Sequence, residues 1–75
     1  MTRREIAYQL NLRHICNSWR RAKKSGSGIA WMDTTDLISR VMNHYKVGSD
    51  EYDDLATILE IGLTHEEAAF KEALQ

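Results

Sequence analysis

Seventy-five residues make one domain near the lower limit of independent folding, so the core is small and a staple or a partner subunit is expected. Cys16 is the only cysteine, which excludes an intrachain disulfide, and no apolar run approaches the roughly 20 residues of a membrane span; with no hydrophobic signal region behind MTRRE, a soluble, cytoplasmic protein without membrane contact is expected. The formal net charge of −1 hides a division: residues 1–46 carry nine Lys/Arg against three Asp/Glu, residues 47–75 one against eight.

The first element is predicted from about Thr2 to Lys24. Tyr8, Leu12, Ile15, Trp19 and Ala22 are spaced by four, three, four and three, the seam of a helix packing lengthwise on others. Cys16 broadens that seam, while Ile6 and Leu10 fall nearly opposite and make a second apolar patch. Arg20, Arg21, Lys23 and Lys24 close the segment, where cations complement the negative end of the helix dipole.

SGSG at 25–28 ends the helix, because two glycines raise its entropic cost. Ile29 and Trp31 are expected to fold back over the core. A second helix is predicted from an Asp33 N-cap, with Met32 and Leu37 as a hydrophobic staple and Leu37, Ile38, Val41, Met42 and Tyr45 as its stripe. Gly48 is its expected stop.

A third helix is predicted from Ser49 or Asp50 to about Ile61, with Tyr52, Leu55, Ala56 and Leu59 facing inward, Ile58 to one side and Gly62 as terminator. Thr64 and Glu67 have the spacing of a capping box before a short fourth helix with Phe70, Ala73 and Leu74 inward. Glu67 and Lys71 are set for an i,i+4 pair. The expected fold is therefore all-α: a single domain over 1–75, a small up-down bundle of four helices, one long N-terminal helix and three shorter ones.

The segment 4–22 also admits another reading. Glu5-Ile6-Ala7, with Asn11 four residues later where a turn residue belongs, resembles the first half of a helix-turn-helix, a DNA-reading unit. The resemblance covers about eight residues and fails further on, where Asn17 and Arg20 would face inward and Ile15 and Trp19 would not. A continuous helix accounts for every large apolar residue after Leu10.

Length gives that helix a consequence. A 22-residue helix is about 33 Å long and one of a dozen residues about 18 Å, so short second and third helices leave part of the first uncovered. Uncovered apolar surface marks an interface, and a homodimer sharing this helix is expected, with Ile6, Tyr8, Leu10 and Trp19 as dimer or partner contacts. The competing arrangement is a compact monomer with Ile6 and Leu10 beneath the C-terminal helix. An up-down path also brings Asp50–Asp54 toward Arg3 and Arg4, and Glu66 and Glu67 toward Arg20–Lys24.

Chemistry is sparse. His14 and Cys16 lie two apart, on different sides of a helix, with no second ligand pair at zinc spacing; SGSG lacks the lysine and preceding strand of a phosphate loop. No enzyme activity, cofactor, metal or small-molecule substrate is expected. The reading is a small interaction or regulatory protein, a homodimer docking on a protein partner. The alternative is a nucleic-acid-binding regulator using the basic half, with Arg20, Arg21, Lys23 and Lys24 on phosphates.

Overall fold

A computed structural model describes all 75 residues and contains three helices: α1 (Arg3–Ser25), α2 (Gly28–Met42) and α3 (Asp50–Ala73). The all-helical expectation holds, but the bundle of four helices is corrected to three. What reads as a third and a fourth helix is one rod of 24 residues.

Gly62 is the reason. A glycine inside a helix costs roughly 1 kcal/mol relative to alanine, but here it lies buried where α3 crosses its neighbours. A Cβ built on it would stand 3.1 Å from Thr35 Cγ2 and 3.2 Å from Trp19 Cζ3. The missing side chain admits close approach, and packing outweighs propensity. Thr64, expected as an N-cap, donates its hydroxyl to the Glu60 carbonyl at 3.1 Å, one turn back within the same helix. Glu67 does pair with Lys71, at 3.1 Å.

The start of α2 is corrected likewise. The helix begins at Gly28, ahead of Asp33, with Ser27 at the N-cap position making no side-chain cap bond. Tertiary burial supplies what the cap does not. Trp31 is buried, and a Cβ on Gly28 would meet the Phe70 ring at 2.7 Å. Ile29 and Trp31 are thus helical and not a returning loop. At the other end α2 stops at Met42, and Gly48, with φ +90°, lies in the connection beyond it.

α1 is continuous from Arg3 to Ser25, with Asn11 inside it, so the helix-turn-helix reading of 4–22 is also corrected. Its start is a capping box: Thr2 Oγ1 accepts from the Glu5 amide at 3.1 Å, and the Thr2 amide donates to Glu5 Oε1 at 3.4 Å. Its end is Gly26, at φ +68°, whose amide donates to the Ala22 carbonyl; only glycine enters this left-handed region without cost. α3 opens on Ser49, whose hydroxyl accepts from the Tyr52 amide at 3.2 Å, with Asp50, Glu51 and Asp53 at the positive end of the dipole.

The helices run up, down and up, with α2 packed against both α1 and α3. Ile15, Ile38, Val41, Met42 and Leu55 form the buried centre, and Ile38 and Leu55 are wholly enclosed; burial of each such side chain stabilises by about 1.5–3 kcal/mol. Polar pins fix the register. Thr34 donates to the Ala30 carbonyl at 3.1 Å, which leaves its oxygen to accept from the buried Ser18 hydroxyl at 2.7 Å, tying α2 to α1. Thr35 donates to Glu66 Oε1 at 2.7 Å, tying α2 to α3.

The premise of short neighbours is corrected too. At 24 residues against 23, α3 matches α1 in length and runs beside it in the same direction. Trp19 lies level with Gly62, and Asp54 and Glu51 lie close enough to Tyr8 to act on its phenol.

Candidate interaction surfaces

The α1 side chains that enter the core are Ile15, Ser18 and Ala22. Ile6 and Leu10 point the other way, 46% and 48% exposed, with no helix over them. The compact alternative that put them beneath the C-terminal helix is therefore corrected: the direction of α1's buried side, and not the length of its neighbours, leaves them uncovered.

Tyr8 and Trp19, grouped with Ile6 and Leu10 as contacts, lie elsewhere. The Tyr8 ring meets the Tyr45 ring edge-on at 5.4 Å, and Arg4 stands 5.8 Å over that second ring. Burial, and then the negative charges of Asp54 and Glu51 with the nearby Tyr45, push the Tyr8 phenol above its ordinary value. Trp19 packs edge-on against Trp31 at 4.9 Å and against His65 at 5.7 Å, while His65 stacks flat on Trp31 at 4.6 Å. Both side chains thus serve internal packing first.

The cations of the α1 end are unpaired. Lys71–Glu67 is the one ion pair within 4.0 Å, so neither expected cross-helix pairing forms. Glu66 turns to Thr35, Glu67 to Lys71, and Arg4 to Tyr45. Arg20, Arg21, Lys23 and Lys24 are left without a carboxylate. Arg4 and Arg40 face a second open groove, between α1 and α2, with Asn11 and His44 and no acid in its lining.

Between α1 and α3 runs an apolar groove of about 460 Å³, lined by Leu12, Ile15, Cys16, Trp19, Ile58 and Ile61 with Arg20 and Lys23. Ile61 is 49% exposed, and the Cys16 thiol is exposed as well. The sequence pattern does not set this face apart, although Leu12 with Cys16 and Ile58 with Ile61 are i,i+4 and i,i+3 pairs beside the buried stripes.

The groove belongs to a molecule that is open for its mass. Its extents are 47 × 22 × 13 Å. The radius of gyration is 13.2 Å, where a compact chain of this length has about 11 Å. Surface follows suit: 8.7 kDa corresponds to about 4,700 Å² in a compact monomer, whereas 5584 Å² is exposed here, a surplus of roughly 900 Å².

No helix is long and apolar enough to cross a membrane, and no three His, Cys, Asp or Glu side chains gather as a metal-ligand group. No family model, no curated protein and no solved structure matches the chain. Its class is defined by its own geometry: an all-α, three-helix protein with open grooves between α1 and α3 and between α1 and α2.

Proposed function

We propose that this is a small, non-enzymatic helical interaction protein, a cytoplasmic regulator that acts as a homodimer and docks on a protein partner through α1. The observation that carries the docking reading is the pair Ile6 and Leu10, half exposed on the side of α1 away from the core. Apolar side chains one turn apart, half exposed and outside the buried core, form an anchor for a complementary pocket or helix. The surplus surface of the protomer supports self-association. A photo-crosslinking residue at Leu10 tests the docking: a discrete heterologous adduct in the native cell, missing when the same residue replaces the exposed Lys46, is expected. Identical products from both positions contradict it.

A second reading has its own support in the unpaired cations at the end of α1. Arg20, Arg21, Lys23 and Lys24 on one helical turn and a half, with no neutralising carboxylate, suit phosphate contacts on a nucleic acid, without a helix-turn-helix. It requires affinity that falls steeply as salt rises. Absence of binding to duplex and single-stranded DNA at low salt rejects it.

A further inference from the structure

We propose that a second copy of the chain covers the α1/α3 groove, about a two-fold axis parallel to the long helices, so that α1 of each copy lies on α3 of the other. This rests on the reading that the protein is a homodimer and says which face makes it one.

Area is the first argument. A standard interface buries about 800 Å² on each partner, and the protomer taken whole exposes a surplus of that order over a compact chain. Cys16 and Ile61 are exposed along the groove, with Leu12 and Ile58 half-buried beside them, an apolar strip that a second copy can cover.

Charge selects the axis. A two-fold perpendicular to the helices would lay α1 antiparallel on α1, with Arg13 and Arg20 against cations of the same kind. The parallel two-fold lays basic α1 on acidic α3 at unchanged height. Arg13 and Arg20 are seven apart and flank Cys16 on the outer side of α1, where they share a shallow surface with it. Asp53, Glu60 and Glu67 repeat at the same interval on α3 and are all exposed. The offset that sets Trp19 beside Gly62 places Arg13 level with Ala56, between Asp53 and Glu60 of the second copy. It places Arg20 level with Leu63, between Glu60 and Glu67. The two rows interleave, and such complementarity fixes orientation as well as attraction. The outward stripe with Leu10 remains free for a different partner.

Sedimentation combined with Cys16 reactivity tests the assignment. Wild type is expected to sediment as a dimer whose Cys16 reacts with a thiol reagent at least tenfold more slowly than in dilute monomer. Ile61→Glu should give a helical monomer. Should that variant fold poorly, the exposed charges serve instead: Arg20→Glu should weaken the dimer at least tenfold, and adding Glu60→Arg should restore it. A dimer whose Cys16 reacts equally fast at every concentration, or one indifferent to Arg20→Glu, overturns the groove assignment while homodimerisation stands. A wild type that stays monomeric at every concentration overturns both.

Discussion

Gly62 meets the edge of Trp19 across the α1–α3 contact: a Cβ there would lie 3.2 Å from Trp19 Cζ3, with Thr35 Cγ2 at 3.1 Å on its other side. Neither neighbour can yield freely. Trp19 is braced by Trp31 and His65, and Thr35 is held by Glu66. Gly62→Ala gains up to about 1 kcal/mol of helix propensity but forces two close contacts, which overpacking data put at about 1–3 kcal/mol. Net destabilisation, seen as a lower urea midpoint with helicity retained, is expected. A raised midpoint would mean that the crossing is looser than described.

The Ser18–Thr34 hydroxyl pair at 2.7 Å is buried, so its members are coupled. Thr34→Val keeps the shape but leaves the Ser18 hydroxyl facing an apolar group, at a cost of about 1–3 kcal/mol. Ser18→Ala alone should cost less, because Thr34 retains the Ala30 carbonyl. In the double variant the orphan is gone, and stability should recover part of the Thr34→Val loss. Strict additivity in a double-mutant cycle would show that the pair does not interact.

Tyr8 gives a pH dependence with a definite sign. Its folded-state value lies above the ordinary 10.0, so the folded protein binds the phenolic proton more tightly than the unfolded chain does. The stabilisation is complete below the ordinary value and is lost as pH climbs through the raised one. Asp54→Asn should move the Tyr8 titration back toward the ordinary value, read by NMR of labelled tyrosine. An unchanged titration would remove Asp54 from the causes.

Much of this fold is legible in the sequence, and its failures share a cause. The continuity of α1 follows from the spacing of Tyr8, Ile15 and Ala22, and the start of α3 follows from Ser49 before an acidic turn. The buried centre of α1, however, includes the small polar Ser18 and not only the largest side chains. Leu12 and Trp19 are only half-buried beside that centre, so the buried face of α1 is rotated from the hydrophobic seam. Gly62 and the Thr64–Glu67 spacing carry local signals for a break, and Asp33 carries one for a start. Each is overruled by a contact distant in sequence: Trp19 and Thr35 on Gly62, Phe70 on Gly28, Trp31 beneath Trp19. The boxes at Thr2–Glu5 and Thr64–Glu67 obey the same spacing rule; the second lies in a helix carried through by the packing at the buried Gly62. Of the surface, Ile6 and Leu10 are visible as residues off the seam. The α1/α3 groove is not, because it depends on how α2 sets α1 and α3 side by side, which no local spacing encodes.

Leu10 and Leu55 should behave oppositely. Leu10, 48% exposed, contributes little to the protomer, and Leu10→Asp should change unfolding free energy by no more than about 0.5 kcal/mol. Leu55, with no exposed surface, should cost about 2–5 kcal/mol as Leu55→Ala. A large loss from Leu10→Asp in dilute, monomeric protein would place that side chain in the fold itself, leaving the docking surface without its anchor.

Self-association stands at the centre of the account, and light scattering on protein separated by size tests it most directly. Across rising concentration the mass should climb from that of one 8.7 kDa chain to twice that value and stop there, as a closed two-fold pair requires. A mass of one chain throughout, up to the limit of solubility, would contradict it.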